Sequence, residues 1–113
     1  MSVSIAKKPL APQTNLAQLA TIKGSLEEMS QKFGAPLENI VDDLGGLKAV
    51  LLETNGIVFE LTRYDSLAHK NVFDIFIPSK QENWLELLTK IIDALGLLQT
   101  DIFWINHDFL KWP

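Results

Sequence analysis

Side chains able to do acid–base or metal chemistry are few in this 113-residue chain. Such chemistry would have to use His69 and His107, the chain's two histidines, with Asp65, Asp74 and Asp108. Neither histidine stands in a His-x-x-x-His or Glu-x-x-His spacing, whereas a catalytic zinc normally takes three protein ligands. The chain has no cysteine, so it offers no thiolate nucleophile, no disulfide framework and no zinc-finger spacing. No serine lies in a Gly-x-Ser-x-Gly elbow, and the glycines form no phosphate loop. The expectation is therefore no catalytic residue, no metal and no cofactor, with the balance against an enzyme.

Two constellations carry charge with a purpose. Lys48 and Arg63 fall opposite one another in the hairpin described below, with Tyr64 next along, and like charges so placed need compensation. An anion or an acidic partner would supply it; so would Glu27, Glu28, Asp42 or Asp43. The second constellation spans residues 25–46, where Met29-Ser30, Gly34 and Ile40 approximate helix-turn-helix spacing. Its second helix would read Leu-Glu-Asn-Ile-Val-Asp-Asp-Leu, with three acids and no base. Phosphate would repel it, so DNA binding is disfavoured.

The composition is that of one globular domain: 47% hydrophobic, 21% charged, net charge −4. That charge opposes nucleic acid and anionic lipid, and no apolar run is long enough for a membrane helix. The opening residues place Lys7, Lys8, Pro9 and Pro12 where a signal peptide needs a continuous apolar core, so cytoplasmic residence is expected.

The elements that must position these groups are organised around 47–64. Asn55-Gly56 separates two apolar, β-branched runs, and both residues tolerate the positive φ of a two-residue hairpin turn. The turn fixes a register in which Thr54 faces Ile57, Leu52 faces Phe59, Val50 faces Leu61 and Lys48 faces Arg63. One face then holds Val50, Leu52, Ile57, Phe59 and Leu61. The other holds Leu47, Ala49, Leu51 and Val58 among polar residues.

Residues 1–14, with two prolines and no apolar period, predict a flexible arm. Residues 15–46 predict short helices: Leu16, Leu19, Ala20 and Lys23 recur at helical spacing, Ser25 and Glu28 form a capping box closed by Gly34, and Leu37, Ile40, Val41 and Leu44 make an apolar stripe after Pro36. Alternation over 72–78 predicts a third strand. Ser79 and Glu82 repeat the capping spacing ahead of a helix over 80–95 ending at Gly96, and 102–105 predict a fourth strand. The expected fold is α+β, a single domain: an N-terminal helical hairpin, a three-stranded antiparallel meander, one C-terminal helix, and a fourth strand parallel to the first in order 4-1-2-3.

Helix 80–95 can cover only one side of such a sheet. The back face and the aromatic C-terminus, with Leu47, Ala49, Leu51, Val58, Trp104, Phe109 and Trp112, are thus the expected surface for self-association or protein docking. The alternative is a small-ligand protein with a pocket between helix 80–95 and the sheet.

Overall fold

The computed structural model describes residues 3–5, 16–42, 45–54, 56–78 and 82–110. Among them a seven-stranded sheet is assembled from β1 (Ser4–Ile5), β2 (Ala17–Lys23), β3 (Glu38–Asp42), β4 (Gly45–Thr54), β5 (Ile57–Tyr64), β6 (Val72–Ile77) and β7 (Ile102–Ile105), with α1 (Leu26–Phe33) and α2 (Trp84–Ala94). All strand pairs are antiparallel. The order is β1-β4-β5-β6-β2-β7, and β3 lies beside β1 along the outer edge of β4.

The hairpin β4–β5 has the expected register, Thr54↔Ile57 through Lys48↔Arg63. Gly56 takes φ +76°, the left-handed region that the turn demands; Asn55 lies outside the described residues. Segments 17–23 and 38–42, expected in helices, form strands instead, which overturns the helical hairpin, and the last strand runs antiparallel beside β2, which overturns the parallel fourth strand and the order 4-1-2-3.

Residues 17–23 form an interior strand of the sheet, next to its last strand, not a helix. β2 pairs with β6 on one side and β7 on the other, and its register slips between Gln18 and Ala20. A bulge of this kind lets two successive side chains face the same way, so Leu19 and Ala20 are both buried, as is Ile22. Consecutive inward residues followed by alternation resemble helical spacing, which explains the misreading.

Residues 38–42 likewise form β3, paired from Glu38↔Ala49 to Asp42↔Gly45. Of the supposed helical stripe, Ile40 and Val41 are exposed, Val41 to 84%, Leu37 is half-buried against the core, and Leu44 lies outside the described residues. A short isolated helix has little to hold it, whereas the free edge of β4 satisfies this backbone at once. The helix-turn-helix reading goes with it. Gly45 and Gly46 begin β4, and a Cβ at Gly46 would meet the Asp65 carboxylate at 2.8 Å.

The two helices stand as expected in kind. Ser25 caps α1 by accepting from the Glu28 amide at 3.2 Å, and Gly34 closes it at φ +64°. α2 begins at Trp84, later than expected, and residues 79–81 of the supposed cap lie outside the described residues.

Both helices pack on the same side of the sheet. Leu26 and Met29 of α1 and Leu87, Leu88, Ile91 and Ile92 of α2 join Val50, Leu52, Phe59, Leu61, Phe73, Ile75, Ile77, Leu19 and Ile22 in one core. Lys32 of α1 donates to the Leu95 carbonyl at 2.7 Å, placing a cation at the C-terminal end of α2. No described helix is long and apolar enough to cross a membrane.

Candidate functional site

The side of the sheet away from the helices is built by register. Glu38, Ala49, Thr62, Asp74, Thr21 and Trp104 stand next to one another across β3, β4, β5, β6, β2 and β7. Paired residues of an antiparallel ladder share a face, so these six form a continuous row. A second row beside it is Leu51, Glu60, Phe76 and Gln18.

The middle of this face is polar and internally bonded. Thr21 Oγ1 donates to Asp74 Oδ1, Gln18 Nε2 reaches Thr21 Oγ1 at 3.4 Å, and Thr62 Oγ1 donates to Glu60 Oε1 at 2.7 Å. Burial pushes the Asp74 carboxyl upward, opposed by the hydrogen bonds from Thr21 and Gln18. Burial also raises Glu60, with Thr62 opposing and the neighbouring Glu38 charge adding to the rise. These two acids are consequently easier to neutralise than ordinary surface carboxylates.

Past Thr62 and Asp74 the β5–β6 pairing ends, and the strands part around the 3₁₀ turn Asp65–Lys70. A hollow of about 260 Å³ opens there, lined by Thr21, Asp74, Tyr64, Lys70, Phe103 and neighbouring residues.

The far end of the face is aromatic because of a second bulge. β7 meets β2 at Ala20↔Ile105, Thr21↔Trp104 and Ile22↔Ile102, so Phe103 is the extra residue. Ile102 and Ile105 pack against the core, while Phe103 is 65% and Trp104 41% exposed. Lys23 Nζ lies 5.9 Å from the Phe103 ring centre.

The expected surface residues do not all reach this face. Leu47 and Ala49 are on it but buried beside their cross-strand neighbours, whereas Leu51 and Val58 are half-buried and Trp104 is exposed. Phe109 is elsewhere: it is 1% exposed, joins the core on the helix side, and packs on Trp84 with ring centres 5.6 Å apart. Trp112 lies outside the described residues.

Lys48 and Arg63 point to the helix side, and each meets a carboxylate. Arg63 Nη1 donates to both Glu27 oxygens, at 2.7 Å to Oε2, and Lys48 Nζ is 3.3 Å from Asp65 Oδ1. Arg63 holds the Glu27 carboxyl below its usual range. Tyr64 faces the other way, opposite Leu47. The three are therefore split between the two faces of the sheet. Glu28 is exposed on α1, while Asp43 and the Asp42 side chain lie outside the described residues.

Among the acid–base candidates, Asp74 is in the polar row, Asp65 is with Lys48, and His107 packs edge-on against Trp84 at 6.2 Å. Asp108 donates its backbone amide to Asn106 Oδ1, and the His69 side chain lies outside the described residues. Among the described residues no three metal-ligating side chains cluster. The sequence reading missed Gln18 and Thr21. Polar Gln18 and Thr21 flanking apolar Leu19-Ala20 were the signal of a bulged strand.

No protein-family model matches this chain, and no match was found among curated proteins or solved structures.

Proposed function

We propose that the protein is a non-enzymatic assembly module that associates, in the first instance with copies of itself, through the helix-free face of its sheet. The observation that carries this reading is the Phe103–Trp104 pair. Two adjacent aromatics are turned outward by a bulge, on a face that also holds half-buried Leu51 and Val58. Aromatics in such a position are the commonest anchors of protein contacts. The partly buried acids Asp74 and Glu60 support it too, because groups that give up their charge easily are less costly to cover. Cytoplasmic residence is part of the proposal, since a chain without cysteine suits a reducing compartment.

Light scattering after size exclusion, across about a hundredfold range of concentration, tests it. The expected result is a mass above that of one chain, which falls to one chain for Trp104→Lys while far-UV circular dichroism is unchanged. A single-chain mass for the unaltered protein at every concentration sinks the reading.

A further inference from the structure

We infer that the hollow where β5 and β6 part binds a small uncharged ring compound carrying an N–H beside a C=O, the cyclic-amide edge found on a pyrimidine base. Asp74 accepts from the N–H, and Arg63 Nε donates to the carbonyl. The site is formed within one chain and does not depend on the self-association proposed above.

The hollow is a consequence of the strand ends. Thr62↔Asp74 is the last pair of the β5–β6 ladder, and beyond it residues from both sides of the sheet line one space of about 260 Å³. Thr21 and Asp74 reach it from the helix-free face. Arg63 and Phe73, each one position further along its strand, belong to the helix side and are buried. The volume falls just below the roughly 300–1,000 Å³ of sites for drug-sized ligands, so a single ring is the scale it suits.

Two polar groups set the ligand's chemistry. Arg63 is 9% exposed; its Nη1 is committed to Glu27, but its Nε is buried with no hydrogen-bond partner among the described residues. A buried N–H left unmet is costly, and such a group calls for a further acceptor. Asp74 is the complement. Thr21 Oγ1 holds its Oδ1, and an ionised carboxylate has lone pairs for several donors at once. Adjacent C=O and N–H groups on one ring answer both residues.

Charge around the hollow selects a neutral ligand. A cation would meet exposed Lys70 in the lining and Lys23 beside the Phe103 ring. An anion would meet Asp74, with Glu60 in the next row. Either sign is opposed by fixed charge already present. Tyr64 and Phe103, both in the lining, add π faces against which a flat ring can pack.

Heteronuclear NMR of the isotope-labelled chain, titrated with uracil to millimolar concentration, tests the site. Expected are saturable shifts of the amides in 62–64 and 72–74 and of Arg63 Nε–H, with none from N,N′-dimethyluracil, benzoate or benzylamine. Phe103→Ala, at an exposed position, and Asp74→Ala should each weaken uracil binding several-fold, while Val41→Lys, on β3 at the opposite edge of the sheet, leaves it unchanged. Equal saturation by N,N′-dimethyluracil or by either charged probe overturns the ligand class. Uracil shifts that leave Arg63 Nε–H in place overturn the pairing, and binding that neither variant weakens puts uracil somewhere else. No saturable shift with uracil overturns the site altogether and leaves Arg63 Nε to water.

Discussion

Asp74 and Glu60 have their carboxyls held above the usual range by burial, whereas Glu27 is held below it by Arg63. The signs differ accordingly. In the window just above the ordinary carboxylate range of about pH 4, the folded protein binds protons at Asp74 and Glu60 that the unfolded chain does not. Their contribution therefore grows as pH falls from neutrality into that window and shrinks again as pH rises. The Glu27–Arg63 contribution is present above the ordinary range and is lost as pH falls through the lowered value. Asp74→Asn keeps an acceptor for Thr21 Oγ1 and removes the charge. It should raise Tm at pH 7 by a few degrees and flatten the rise between pH 7 and 5. A lower Tm at pH 7, followed by circular dichroism, would show that the ionised carboxylate is instead stabilising.

At the scale of elements, the hairpin turn and the C-terminal turn make the clearest demands. Nothing lies within 4 Å of a Cβ built on Gly56, so Gly56→Val tests backbone conformation alone. Its φ of +76° is hostile to a β-branched residue, and the expected loss is about 1–3 kcal/mol in urea denaturation. A change within 0.5 kcal/mol, roughly the scatter of neutral surface substitutions, would deny the turn that conformation. Phe109 occupies the core next to Trp84, and Phe109→Ala should cost about 3–5 kcal/mol. Removing residues 107–113 would therefore take a core side chain out of the fold.

For the whole molecule, the decisive feature is β2 lying between β6 and β7. A chain beginning at residue 45 would hold β4, β5, β6, α2 and β7, yet β7 would have lost its β2 neighbour. Leu19, Ala20 and Ile22 would also be missing from the core. The fragment 45–113 should consequently give poorly dispersed amide proton spectra, and adding residues 16–44 back in one chain should restore dispersion. A folded fragment would mean that the hairpin and α2 suffice, against the topology. Pairings between such distant segments also predict folding in the millisecond-to-second range.

Local chemistry in the sequence determined the β4–β5 register, the Ser25 cap, the Gly34 and Gly96 stops and the strands over 72–77 and 102–105. Each depends on residues within a few positions of one another. Tertiary structure decided the rest. Segments 17–23 and 38–42 carry apolar spacing compatible with a helix. They became strands because β6, β7 and the edge of β4 offered backbone partners that no local pattern displays. The polar row was hidden for the same reason, since Thr21, Thr62 and Asp74 are neighbours only after three strands from distant parts of the chain are in register. Exposure of Phe103 and Trp104 depended on a bulge, and the core place of Phe109 on a turn returning to Trp84; aromatic content alone could not separate the two.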